Sequence, residues 1–209
     1  KFDLLLLGIS HARNFSRYGN HEKIEKILQK KIINIGQGSG FCSINEQFFY
    51  LDYFYKKGNK TNEVCIVLTP PMLSSETLPI ASNTFEKEVF DIDFLFNYIL
   101  FESENKNERM INYVQSKFSK SWLNLKPDLT KGNFDSLVNV DVTKVKEGFK
   151  LAYGENLNFE QFGKSCLQVE KIIQLAHKNK SKVTLFIPPA LFGKWKEHNE
   201  TIVFLQKVF

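Results

Sequence analysis

The chain has 209 residues, 43% hydrophobic and 24% charged, a globular composition rather than that of a disordered or membrane chain. Its net charge of +5 comes from lysines interleaved with glutamates (Glu22, Lys23, Glu25, Lys26), which is a solvated helix face; no nucleic-acid-binding motif accompanies it, so no nucleic-acid partner is expected. No apolar run nears the roughly 18 residues of a membrane span, and Cys42, Cys65 and Cys166 have the spacing of neither a metal site nor a disulfide framework.

The first predicted element is a strand, about Asp3 to Leu7, whose apolar run Leu4 to Leu7 reads as buried. It breaks at Gly8 and presents Ser10 and His11 at the break, before polar, helix-compatible residues. Glu22 to Lys31 carries Ile24, Ile27 and Leu28 at amphipathic helix spacing. Ile32, Ile33 and Ile35 form a second β-branched run, which ends in the glycine loop Gly36-Gln37-Gly38-Ser39-Gly40. Ile44 to Tyr55 is aromatic-rich and reads as a helix packed on the sheet. Val64 to Leu68 is the third strand, stopped by Thr69, Pro70 and Pro71 because a proline pair cannot continue a ladder.

This strand–helix alternation is the rhythm of a parallel sheet with right-handed crossovers. A fourth strand, Val183 to Ile187, follows a helix of about Phe162 to Lys178 with Phe162, Cys166, Val169, Ile172, Ile173 and Ala176 inward. Cys65 and Cys166 are expected to serve as small core hydrophobes. A last helix is predicted over about Trp195 to Val208. Residues 1–209 thus read as one α/β domain with an insertion at about 72–160. Two helix-like stretches lie within the insertion: Phe85 to Phe101, with Val89, Phe90, Phe94 and Tyr98, and Asn107 to Trp122, with Met110, Ile111, Val114, Phe118 and Trp122. An insertion at the carboxyl edge of a sheet is placed to cover a site as a lid, or its aromatic residues make a satellite core.

A strand that stops at Gly-x-Ser and turns into a helix puts a hydroxyl at the sheet's carboxyl edge, where α/β folds place their chemistry. The alternative role for Ser10 is to cap the next helix. The glycine loop offers backbone N–H groups that a ligand can approach closely, and such donors stabilise an oxyanion. A serine nucleophile also needs a base. His11 is a poor one, because adjacent side chains diverge; it is expected to line the site or bond the backbone. Arg13 suits an anionic substrate group or a surface carboxylate. Asn14 suits a bond that orients the turn.

Gly8-Ile9-Ser10-His11-Ala12-Arg13-Asn14 resembles the first block of the SGNH (GDSL-like) hydrolase superfamily, whose strand ends in Gly-Asp-Ser with the serine as nucleophile. Asn34-Ile35-Gly36-Gln37-Gly38-Ser39-Gly40 resembles the second block, whose glycine donates an N–H to the oxyanion hole. Glu170 to Ala176 and Val183 to Pro189 resemble the later helix and strand. The similarity is greatest to the bacterial cell-envelope branch, and it covers the sheet but not the insertion. The implied fold is a three-layer, flavodoxin-like parallel sheet with helices on both faces and a helical insertion after the third strand. The resemblance implies Ser10 as nucleophile, N–H groups near Ser10 and at Gly38 as oxyanion donors, and His11, Arg13 and Asn14 around the substrate.

The chain departs from the family pattern three times. Ile9 replaces the Asp of the first block. Leu68-Thr69-Pro70-Pro71 stands where the third block, Gly-x-Asn-Asp, is expected, which leaves the side-chain oxyanion donor unassigned. No Asp-x-x-His is present. His177 lies at the end of a helix away from the carboxyl edge. His198 either supplies the base or is a plain helix-surface histidine; the favoured expectation puts the catalytic histidine beyond Phe209, in a longer protein. A chain starting at Lys1 also leaves room for an upstream targeting or anchoring segment.

The leading expectation is a serine esterase or O-acyltransferase acting on an acylated carbohydrate or cell-envelope polymer. No cofactor or metal is called for. By resemblance the protein is bacterial and extracytoplasmic or membrane-associated, with a membrane anchor or partner outside this chain. The alternative is an inactive SGNH-like binding or accessory protein, which the missing blocks favour. A phosphate- or nucleotide-binding domain ranks lowest, because the glycine loop has neither dinucleotide spacing nor the Lys-Ser/Thr of a P-loop.

Overall fold

The computed structural model describes residues 1–36, 44–69, 72–73, 85–100, 106–119, 143, 147 and 159–188. Four parallel strands form one sheet: β1 (Phe2–Gly8), β2 (Ile32–Asn34), β3 (Thr61–Val67) and β4 (Lys182–Phe186), in the order β2-β1-β3-β4. Register runs Leu4 to Ile32 between β1 and β2, Gly8 to Val67 between β1 and β3, and Val67 to Phe186 between β3 and β4. The order reverses between β1 and β3. That reversal opens a crevice past their carboxyl ends, the usual ligand position of open α/β sheets.

β1 is central, and Leu4 to Leu7 are all buried. A central parallel strand is covered on both faces, so its sequence is a continuous apolar run. Leu5, Leu7, Val64 and Ile66 face one layer, formed by α3 (Ile44–Lys56) and α6 (Phe159–Lys178). From α3 come Ile44, Leu51 and Phe54; from α6 come Val169, Ile172, Ile173 and Ala176. Leu4, Leu6 and Ile32 face the other layer, against Phe15 and Ile24; the latter lies on α2 (Asn20–Leu28). The three-layer α/β architecture expected from the alternation is therefore present. Cys65 and Cys166 pack as small apolar groups, and burial pushes their thiols up to about 11 and about 12.

The helical insertion after the third strand is also present, with shifted details. A short 3-10 turn (Phe85–Lys87) precedes α4 (Ile92–Leu100) and α5 (Lys106–Phe118). The expected helix from Phe85 starts instead at Ile92, because Asp91 Oδ1 accepts the free amides of Asp93 (2.8 Å) and Phe94 (3.1 Å) and so begins it. Val89 and Phe90 lie before the helix and are exposed. On α5 the buried residues are Arg109, Tyr113 and Ser116, while Ile111 and Phe118 are exposed. Met110 and Val114 of the expected set do pack, partly buried, against the aromatic core, beside a charge pair and a ring stack, Tyr113 on Phe94 at 5.2 Å. Ile27 and Leu28 of α2 are likewise exposed, leaving Ile24 as its inward contact.

Phe49, Tyr50, Phe85, Phe94, Tyr98 and Tyr113 form a second core between α3 and the insertion. Phe49 contacts Phe85, Phe94 and Tyr98 edge-on, at 5.2, 4.9 and 5.6 Å. Such edge-to-face pairs add about 0.5–1.5 kcal/mol each beyond their area. The satellite-core role expected for the insertion's aromatic residues is what Phe85, Phe94 and Tyr98 perform. The predicted last helix, Trp195 to Val208, lies outside the described residues.

Two glycines give a direct test of the close packing at the β1 terminus. Gly8 has φ +142° and a Cβ there would lie 2.8 Å from both Val67 O and Ala12 Cβ; Gly58 has φ +75° and open space around it. Gly58→Ala is expected to cost about 1 kcal/mol of backbone strain, and Gly8→Ala about 3 kcal/mol or more, since overpacking adds to strain. Urea unfolding of both variants checks this; equal losses would contradict it.

Candidate active site at the end of the first strand

The candidate site is built on the exit from β1. Gly8 turns the chain where a side chain would strike β3, and its amide donates to Gln47 Oε1 of α3 at 2.9 Å, a fully buried bond. Ile9 follows in extended backbone (φ −91°, ψ −151°) with its side chain in the main core. This accounts for an isoleucine at the position where the resembling family has Asp. A carboxylate placed there would be buried among apolar groups, at a large desolvation penalty.

Ser10 then opens the short helix α1 (Ser10–Asn14). The N-cap position is Ile9, and no side chain caps the helix, so Ser10 does not have the capping role that was its alternative. Ser10 is half-buried, and among the described residues no hydrogen bond to its hydroxyl is formed. Ser10, Arg13 and Asn14 stand at i, i+3 and i+4 and share one face of the helix, while His11 projects from another.

His11 is exposed by its own surface, yet partial desolvation holds its imidazole below the ordinary histidine range. That favours the neutral ring. Arg13 is half-buried in the last turn of α1, and Asn14 is exposed, its carbonyl accepting from Asn20 Nδ2 at 3.0 Å. Asn14 thus helps to shape the following turn through its backbone. Gly38 and His198 lie outside the described residues. His177 sits exposed in the last turn of α6, which leads into the amino end of β4 and so is remote from the carboxyl edge.

Two positioning residues carry no signal in the sequence pattern. Gln47 holds the Gly8 amide, as above. Asn34, the last residue of β2, donates from Nδ2 to Ala12 O (2.7 Å) and accepts the Gly36 amide on Oδ1 (2.9 Å). It ties α1 to the exit from β2. Gly36 closes against the same place: a Cβ there would lie 2.7 Å from Ala12 Cβ and 3.2 Å from Gly8 O. Gly8, Ala12 and Gly36 are therefore small because three chain segments meet at van der Waals limits.

A Ser–His–Glu series also occurs nearby. Ser16 Oγ lies 3.4 Å from His21 Nδ1, and His21 Nε2 lies 3.6 Å from Glu25 Oε1. Both separations are too long for a working relay, and the same Glu25 oxygen accepts the Ile32 amide at 2.7 Å. The arrangement pins α2 to β2.

Behind the turn, α3 is anchored to the insertion. Glu46, adjacent to Gln47, receives Arg109 Nη1 at 2.5 Å, with both side chains 1% exposed. Tyr50 OH donates to Glu88 Oε1 at 2.8 Å, and burial raises the Glu88 carboxyl above its ordinary range. Among the described residues no group of three or more His, Cys, Asp or Glu side chains could hold a metal ion.

No family model, curated protein or solved structure matches this chain.

The buried pair predicts an asymmetric response. Arg109→Met removes the buried cation that faces Glu46 and is expected to cost about 3–5 kcal/mol, whereas Glu46→Met combined with Arg109→Met returns most of that loss. A double-mutant cycle by urea unfolding measures it; a double variant no more stable than the single would contradict it.

Proposed function

We propose that this protein is an SGNH-type serine esterase or O-acyltransferase acting on an acylated carbohydrate or cell-envelope polymer. The observation that carries the reading is the position of Ser10. It stands uncapped and partly accessible, immediately past a glycine turn, at the carboxyl end of the central strand and at the strand-order reversal. The resemblance of the residues from Gly8 to Asn14 to the SGNH first block supports the same role.

In this reading the Ser10 Oγ–carbon bond forms as the carbonyl π pair moves onto oxygen. The serine proton passes to a general base. On collapse, the bond to the leaving hydroxyl breaks and that oxygen takes the proton. Water or a sugar hydroxyl then gives its proton to the base and bonds to the acyl carbon as the bond to Ser10 Oγ breaks, and Ser10 Oγ takes the proton from the base. N–H groups near Ser10 and at Gly38 are the oxyanion donors that the resemblance implies. The base this reading needs is a histidine, for which His198 is the candidate.

A second reading has one observation in its favour: among the described residues, no hydrogen-bonded base stands on Ser10. An accessory protein that binds the polymer without cleaving it would have that property.

Labelling of the intact protein with a fluorophosphonate separates the two. Stoichiometric labelling that is abolished in Ser10→Ala is expected for the enzyme. Absence of Ser10-dependent labelling in a folded protein would leave the binding reading.

A further inference from the structure

We infer that the insertion braces the nucleophile: its docking on α3 sets, through Gln47, where Ser10 stands, an inference that rests on the nucleophile reading above. The chain of contacts starts at the end of β1. Among the described residues the β1–β2 ladder ends with Leu6 opposite Asn34, where Leu6 O accepts the Ile35 amide at 3.1 Å. Gly8 is two residues on, and so faces the same side of β1. Its amide goes to Gln47 Oε1 at 2.9 Å, in a buried bond, instead of to a strand. A residue of α3 thus stands in for a ladder partner two positions before Ser10, and that residue is 0% exposed.

The same turn of α3 grips the insertion. Successive residues of a helix point about 100° apart, so Gln47 faces β1 while its neighbour Glu46 faces the insertion. Glu46 Oε1 accepts Arg109 Nη1 at 2.5 Å, with both side chains 1% exposed. One turn on, Phe49 and Tyr50 pack with Phe85, Phe94, Tyr98 and Tyr113 of the insertion. Separating the partners of a buried ion pair is heavily penalised, so the pair fixes one placement of α3 against the insertion. The turn after β1 has no slack to absorb a shift of α3, since a Cβ on Gly8 would lie 2.8 Å from both Val67 O and Ala12 Cβ. A nucleophile displaced by about 1 Å loses on the order of 100-fold in rate. Gln47 and Arg109 are therefore positioning residues for Ser10, the first acting on the turn and the second through the first.

Fluorophosphonate labelling of Ser10 across a double-mutant cycle tests the coupling. Gln47→Met keeps the side-chain length and removes the acceptor; Gln47→Glu keeps an acceptor oxygen. Arg109→Lys keeps the cation, changes its reach and leaves the turn untouched, so it serves even where Gln47→Met does not fold. Folded Gln47→Met is expected to label about 100-fold more slowly than the parent protein, and Arg109→Lys about 10-fold more slowly. The two together label no more slowly than Gln47→Met alone, because the insertion acts through Gln47. Gln47→Glu labels within several-fold of the parent, although its buried carboxylate lowers the melting temperature at least as much as Gln47→Met does. Labelling that merely follows melting temperature would show a structural role and overturn the inference. Parental labelling in Gln47→Met or Arg109→Lys, or rate losses that multiply in the double variant, would overturn it as well and leave Ser10 as nucleophile. A parent protein with no Ser10-dependent labelling would overturn both the inference and the reading beneath it.

Discussion

Gly8 has no room for a side chain, and the carboxyl edge of the sheet is organised by that constraint. A Cβ on it would meet both the Val67 carbonyl and Ala12, and Gly36 closes on the same alanine. Three chain segments can meet there only because each contributes a residue with little or no side chain. The close approach sets the angle at which the chain leaves β1, and so sets where Ser10 stands. The Gln47 bond to the Gly8 amide satisfies a backbone donor inside the core.

The same helix face joins the turn to the insertion. Gln47 holds Gly8, and its neighbour Glu46 holds Arg109 of α5. The insertion is thus fastened to α3 by a buried ion pair and an aromatic cluster that includes Phe49 and Tyr50 of that helix. Buried ion pairs contribute little net stability but penalise any arrangement that separates them. Here the effect is to fix one docking of the insertion on the helix that orients the serine turn.

Much of the fold was legible in the sequence. Leu4 to Leu7 reads as a doubly covered strand, and the proline pairs after Leu68 and Ile187 mark the ends of two others. The six inward residues named for the Phe162–Lys178 helix all contribute to the core, Phe162 at its margin. In the insertion Phe94, Tyr98, Met110 and Val114 join the aromatic core, while Val89, Phe90, Ile111 and Phe118 are exposed. Arg109, Glu46 and Gln47 are polar residues that are buried because each meets a partner far along the chain, 63 residues away for the ion pair and 39 for the amide. No local pattern encodes such partners. The site divides the same way: Gly8 and Ser10 were legible as a strand-to-helix turn, whereas Asn34 and Gln47 emerge only once the chain is folded. Gly38 and His198 rest on the sequence reading alone.

The central claim is that the exit from β1 presents Ser10 as a nucleophile at the β1–β3 crevice. A crystal structure of the fluorophosphonate-treated protein tests it most directly. The account predicts phosphorus bonded to Ser10 Oγ, at the carboxyl edge of the sheet beside the reversal between β1 and β3. Phosphorus on another side chain, or Ser10 Oγ unmodified and bonded into its own helix, would contradict it.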